Sequence, residues 1–208
     1  MRKLIIAAIA VLSVGVVSAQ NVKFGIKAAL NYATFSGDVE ESNGIIGFAI
    51  GGFANIAINE KISFQPELLY SAQGTGDKRT DSYGSLKSVS DSKIKLGYLN
   101  IPLMFQLKAT EKFYVEAGPQ IGFMLSATND VTRTTTNGSS TETRSESTDI
   151  KSDLNTVDFG LNFGAGYNFT KNVNVGLRYN LGLSNIAKDS PDYKVKNSVF
   201  SLAVGYTF

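Results

Sequence analysis

The chain reads as all-β, an eight-stranded antiparallel up-and-down transmembrane β-barrel, and three observations point there. After residue 20, apolar side chains alternate with small or polar ones for ten or more residues at a time, the period of two that belongs to strands. Tight turns alternate with long polar connections, as when a wall of strands has one short-looped rim and one long-looped rim. The segment before residue 20 has the three parts of an export signal.

That signal opens on Arg2 and Lys3, runs apolar from Leu4 to Val17 and closes on Val17-Ser18-Ala19. Its apolar stretch is shorter than the roughly 20 residues a membrane-spanning helix needs. Residues 1–19 are expected to be cleaved, leaving 20–208 as a single barrel domain. Arg2 and Lys3 leave with the signal, so the 20 basic residues fall to 18 against 18 acidic ones. A neutral chain without a Lys/Arg cluster carries no electrostatic footprint for nucleic acid. There is no cysteine, so an exported protein of this size must be held by backbone pairing and burial rather than disulfides.

Strands are expected near 22–35, 44–58, 61–72, 93–108, 112–127, 157–169 and 173–183, with an eighth ending the chain. The last three alternate without exception. In 173–183, Val173, Val175, Leu177, Tyr179, Leu181 and Leu183 oppose Asn174, Gly176, Arg178, Asn180 and Gly182. Segment 44–58 is apolar or small on both faces, but its glycines and β-branched residues favour a strand over a short helix. In 93–108 the apolar set changes parity between Tyr98 and Leu99, which predicts a bulge or twist, and Pro102 has to sit where no ladder donor is needed. Short turns are expected at 59–61, 109–111 and 170–172, and polar loops at 36–43, 73–92, 128–153 and 185–196. Loop 128–153 contains a Ser/Thr-rich run, Thr134 to Thr141, expected to be mobile at its tip. Its Asn137-Gly138-Ser139 matches a glycosylation acceptor but is too short a motif to carry weight.

Alternation alone leaves open which face is outside. The polar faces carry Gly, Ala, Ser and Asn rather than the Lys and Glu of a solvated exterior, as suits a narrow lumen. Aromatic residues form two expected belts, Phe24, Phe113, Phe169, Tyr206 and Phe208 near the turns and Tyr32, Tyr70, Phe123, Phe159 and Phe200 near the loops. Tyr206 and the terminal Phe208 resemble the C-terminal signal by which outer-membrane barrels are handed to their assembly machinery. The chain is thus expected in the lipid of a bacterial outer membrane with both termini periplasmic.

In order along the chain, Gly25-Ile26-Lys27 with Leu30-Asn31, Gln65-Pro66-Glu67-Leu68-Leu69-Tyr70, and Tyr98-Leu99-Asn100-Ile101-Pro102-Leu103 stand in the first, third and fourth strands. Gly118-Pro119-Gln120-Ile121-Gly122-Phe123, Asp158-Phe159-Gly160, Arg178-Tyr179 and Tyr206-Thr207-Phe208 follow. This series resembles the PorT-like outer-membrane β-barrels, the "porin family proteins" of Bacteroidota. Ala29 stands where that family usually has glycine, and Asn100 where an acidic residue is common. The resemblance implies the barrel and the compartment, and little about activity, since fold does not settle function.

The polar face also carries Lys27, Glu67, Glu116 and Arg178 at similar depth above the turn-side rim, and these four are expected to form a compensated charge network in the lumen. Asp158 is expected nearer the loop rim, outside that network. At eight strands the lumen is just wide enough for side chains, so a polar plug is favoured over a conduit. Histidine is absent, which removes the usual general base near neutrality; the pair Glu67 and Glu116 is the one acid/base candidate, and neutralisation by Lys or Arg is the better reading of it. Without His or Cys only oxygen ligands remain, no calcium-loop motif is present, and Glu142, Glu146, Asp149 and Asp153 are interleaved with Arg144 and Lys151 as on a solvated surface. No catalytic, cofactor or metal site is therefore expected. The leading expectation is a structural or interaction anchor whose loops, 73–92 and 128–153 above all, meet an envelope or extracellular partner. A narrow channel for very small solutes is the alternative, and a soluble periplasmic ligand-binding barrel, with its apolar face inward, the third.

Overall fold

A computed structural model describes residues 22–39, 42–84, 86–190 and 192–208; the expected signal, 1–19, lies outside them. The described residues form nine strands: β1 (Val22–Gly37), β2 (Asn43–Ala57), β3 (Ile62–Tyr83), β4 (Leu86–Lys108), β5 (Phe113–Asn137), β6 (Ser140–Asp149), β7 (Val157–Asn168), β8 (Val173–Gly182) and β9 (Val195–Thr207). Pairing runs β4-β3-β2-β1-β9-β8-β7-β5, and β4 also pairs with β5, so eight antiparallel strands close into a ring. β6 stays outside the ring, paired only to the upper half of β5.

The apolar faces point outward. Leu30 is 62% exposed and Ile46 74%, while Lys27 and Glu67 on the other face are 7% and 3% exposed. Register puts Phe163, Tyr179, Phe200 and Tyr32 side by side across β7, β8, β9 and β1 on that exterior. An exposed apolar surface encircling a polar interior is the solvent pattern of a lipid-embedded barrel. It removes the soluble-barrel reading, which needed the apolar face inside.

The three tight turns share one construction. Asn59 Oδ1 accepts from the backbone N–H of Lys61 and Ile62, Thr110 Oγ1 from those of Lys112 and Phe113, and Thr170 Oγ1 from those of Asn172 and Val173. A short polar side chain at the first turn position thus satisfies two donors that a reversing backbone would leave bare.

The prolines of the strands sit where ladders are interrupted. β2–β3 pairing passes from Phe53↔Glu67 to Ile56↔Phe64 around Pro66, and β3–β4 pairing from Pro66↔Leu103 to Leu69↔Asn100 around Pro102. Near Pro119, β4–β5 pairing passes from Pro102↔Gln120 to Phe105↔Ala117. A residue with no N–H is placed where no bond has to be made.

The expected irregularity near Tyr98 is present, with its extra residue on the neighbouring strand. Gly97 pairs with Ser126 and Tyr98 with Met124, so Leu125 is the bulged residue of β5. β4 itself keeps its parity: Leu96, Tyr98, Asn100, Pro102, Met104 and Gln106 are all buried. The change of pattern in β4 therefore marks a change in what the lumen holds, from polar below to apolar above.

Segments 73–92 and 128–153, expected as loops, are mostly strand. β3 and β4 pair continuously from Ala72↔Gly97 up to Tyr83↔Leu86, β4 and β5 up to Leu86↔Asn137, and β5 and β6 from Thr128↔Asp149 to Asn137↔Ser140. The result is a four-stranded sheet rising about 30 Å beyond the barrel, at roughly 3.3 Å for each of some ten residues. Gly84 (φ +61°) and Gly138 (φ +58°) turn its two hairpins at the positive φ that a two-residue reversal requires. Polarity misled here because strands above a membrane have water on both faces and need no apolar one, while Thr favours β structure.

Candidate functional site

The barrel interior is stratified. At its lower middle Lys27, Glu67, Glu116 and Arg178 meet in one ion-paired cluster. The guanidinium of Arg178 grips Glu67 bidentately, Nη1 to Oε2 at 2.8 Å and Nη2 to Oε1 at 2.9 Å. Its Nε and Nη2 also reach Glu116 Oε1 at 2.8 and 2.7 Å. Lys27 donates to Glu67 Oε1 and lies over the Phe53 ring at 5.7 Å. Arg178 is the side chain suited to this, since its planar fork serves two carboxylates at once.

Local sequence makes the cluster possible. Register sets Glu116 beside Gly164 and Gly164 beside Arg178, and a side chain at Gly164 would have its first carbon 3.0 Å from Glu116 Oε1. Glycine thus leaves the gap across which Arg178 reaches Glu116. β3 and β8 stand diametrically opposite in the ring, so the Arg178–Glu67 bond crosses the lumen from wall to wall.

Below this cluster, amides complete the coordination. Gln65 Nε2 donates to Glu67 Oε1 at 2.8 Å and Gln106 Nε2 to Glu116 Oε2 at 3.1 Å. Asn55 Nδ2 donates to the carbonyl oxygens of both glutamines, at 3.0 and 2.9 Å. Each charge is met by an opposite charge and each carboxylate by further donors, the condition under which burying ions is tolerable. Lower still, a cavity of about 480 Å³ opens at the tight-turn rim.

Above the cluster lies a layer of amides and hydroxyls. Asn180 donates to Asn162 Oδ1 at 3.0 Å, Asn162 to Gln120 Oε1 at 3.2 Å, and Asn31 to Ser71 Oγ at 3.0 Å. Asn197 then crosses the lumen, donating to Tyr98 Oη at 3.2 Å and to Asp158 Oδ2 at 2.8 Å. The top is apolar: Leu96, Tyr98, Met124 and Ala127 from the wall pack with Ile186 and Val195. Ile186 arrives on the segment between β8 and β9, which is tied down by its N–H to Val195 O at 2.8 Å and by a bridge between Leu154 and Ala187. The connections at the end away from the tight turns thus fold inward over it.

The sequence matches the family model described as "Outer membrane protein beta-barrel domain" over residues 18–188. The chain belongs to that family. It is a transmembrane β-barrel of the bacterial outer membrane. Among solved structures, the neisserial surface protein A (NspA) is similar at 17% identity, with 89% of this chain and 97% of that one covered and a TM-score of 0.50. The attachment invasion locus protein Ail of Yersinia pestis is similar at 16% identity, 91% and 100% covered, TM-score 0.45. CarO of Acinetobacter baumannii is similar at 14% identity, 88% and 97% covered, TM-score 0.42. At such identity the likeness to NspA bears on fold alone. A search of curated proteins gives no match.

Of the residues singled out in the sequence, the family barrel brings Lys27, Glu67, Glu116 and Arg178 together, with Asp158 apart and higher. Tyr206 and Phe208 lie on the exterior at the turn-side rim, their rings 5.7 Å apart, with Phe208 N–H bonded to Phe24 O at 2.9 Å. Sequence reasoning passed over Asn55, Gln65, Gln106 and Phe53. The first three share the lumen parity of Glu67 and Glu116, so their strand positions were a usable signal. Phe53 offered none, because an apolar residue on the inward face of an otherwise small-residue strand reads as exterior. Gly25 accommodates it: a side chain there would have its first carbon 2.3 Å from Phe53 Cζ.

Proposed function

We propose that this protein is an occluded barrel that anchors an outward β-sheet in the outer membrane, a structural or interaction role with no catalytic site. The observation that carries the reading is the cross-lumen clasp, in which Arg178 on β8 bridges Glu67 on β3 and Glu116 on β5. The Asn197–Tyr98 contact above it and the apolar cap above that support the same reading, since each places side chains across the lumen. The four-stranded sheet formed by β3, β4, β5 and β6 then stands on the outer side, where an envelope or extracellular partner would meet it, and the start of β1 and the end of β9 lie at the periplasmic rim. Tyr206 and Phe208 would serve the assembly machinery during insertion. The order of its strand motifs supports a place in the PorT-like branch.

The test is conductance of the purified, refolded barrel in a planar bilayer, native against Arg178→Ala. A silent native barrel that stays heat-modifiable on a gel is expected. Discrete openings in the native protein that change with the substitution would instead make it a narrow channel and turn the clasp into its selectivity element.

A further inference from the structure

The cavity at the tight-turn rim is not explained by anchoring. It has about 480 Å³ of space, within the range of small-molecule sites, and a wall of hydrogen-bonding groups that includes Ser63, Asn168 and Asn174. Lys23, Lys108, Lys112 and Lys171 line it against a single carboxylate, Glu111. None of the four ammonium groups has a hydrogen-bond or ion-pair partner among the described residues, whereas Lys27 and Arg178 above them are ion-paired.

Lysines at a membrane rim commonly extend toward lipid phosphates, and Lys112 and Lys171, in turns, are free to do so. Lys23 and Lys108 are different. Strand parity sets Lys23 on the same face as Gly25 and Lys27, and Lys108 on the face of Met104 and Gln106, which is the lumen side. Their charge is directed into the cavity, whose upper end is closed by the Asn55–Gln65–Gln106 amides.

We propose that this vestibule binds a phosphate-bearing ligand entering from the tight-turn side. Several compact ammonium groups around amide and hydroxyl donors match a multiply charged oxyanion, which offers acceptors in many directions. The phosphate has two possible sources, a soluble phosphate ester or the headgroup of an anionic phospholipid tucked under the rim. The site's place on the periplasmic side rests on the orientation proposed above; the binding itself does not.

The experiment is a titration of the full barrel, in nanodiscs of phosphatidylcholine alone, with inorganic pyrophosphate, followed by backbone amide NMR shifts. Saturable shifts at Lys23, Lys108 and their strand neighbours are expected. The double variant Lys23→Gln/Lys108→Gln should weaken them by about tenfold, the loss of two partly screened charge contacts. Lys78→Gln/Lys87→Gln on the outer sheet removes the same charge and should leave the affinity unchanged. Heat-modifiability on a gel verifies that each variant is folded. Repeating the measurement in nanodiscs containing phosphatidylglycerol separates the sources: vestibule shifts without pyrophosphate identify the headgroup, and their absence identifies a soluble ester. No saturable shift, or equal weakening by both double variants, would overturn the site. A native barrel that conducts would overturn the occlusion while leaving this result standing.

Discussion

β3, β4 and β5 run without a break through two different surroundings, and comparing their lower and upper halves shows what alternation means. In the barrel wall, each strand has lipid on one side and the barrel interior on the other, so exposed Leu68 and Tyr70 alternate with buried Glu67, Leu69 and Ser71. In the outer sheet the same strands have water on both sides. There Asp77 and Arg79 on one face and Asp130 with Lys95 on the other are ion-paired at 3.0 and 2.7 Å, and no apolar face is needed. The backbone ladder is the same in both regions. Period-two hydropathy is therefore a signature of two unlike solvents rather than of strands as such.

The comparison breaks most sharply where the wall depends on burial. Arg178→Ala would leave Glu67, already shielded from water, beside Glu116 with only Lys27 to balance them. Losing one partner of a buried ion cluster costs about 3–5 kcal/mol, so urea unfolding in lipid vesicles should show the largest loss of any single substitution considered. A loss under about 1 kcal/mol, the value of an exposed pair, would mean that water fills the lumen around these groups. Met124→Ala, which opens a void in the apolar cap, should cost about 2–3 kcal/mol, toward the low end for a buried Met because the neighbouring connections can settle inward.

How far these regions were legible in the sequence follows from the same contrast. The eight wall strands could be read because two-faced burial writes itself into every second residue, and the four lumen charges because they interrupt a face otherwise small and neutral. The outer sheet was unreadable by that rule, although Gly84-Ser85 and Gly138-Ser139 are two-residue hairpin signals and Thr132, Thr134, Thr135 and Thr136 a dense β-branched run. The cap was missed for another reason. Leu96, Tyr98 and Met124 have exterior chemistry at interior positions, and part of what they pack against, Ile186, is brought in from a connection. A contact between segments so far apart in the chain leaves no local pattern.

If the outer sheet is energetically separate from the wall, trimming it should matter little. Deleting residues 130–147 joins Asn129 to Thr148, which are register partners, so a short turn can replace the hairpin without disturbing the ring below. The expected change in barrel stability is within about 1 kcal/mol, because the removed strand segments contribute ladder bonds and exposed side-chain pairs but almost no buried apolar area. Unfolding in vesicles, compared with the full chain, measures it. A loss as large as that of Arg178→Ala would show that the sheet holds the wall closed, and the two regions would have to be treated as one cooperative unit.

The smallest effect concerns how the sheet is held in water. The Asp130 carboxyl sits below the usual aspartate range, first because Lys95 Nζ donates to it and then because Ser147 Oγ does. A carboxyl whose folded value lies below its unfolded value stabilises the fold above the unfolded value and loses that contribution as pH falls through the folded one. The hairpin should accordingly loosen only in acid, and slightly, since the pair is open to solvent and salt. Side-chain carbon NMR of Asp130 should show a midpoint below that of an ordinary aspartate, moving up toward it in Lys95→Gln. An unchanged midpoint would assign the depression to Ser147, and Ser147→Ala would then be the variant that moves it. Either way the shift should leave the unfolding of the wall unchanged, because among the described residues the ion pairs of Arg178 and Lys27 are made within the barrel, with Glu67 and Glu116.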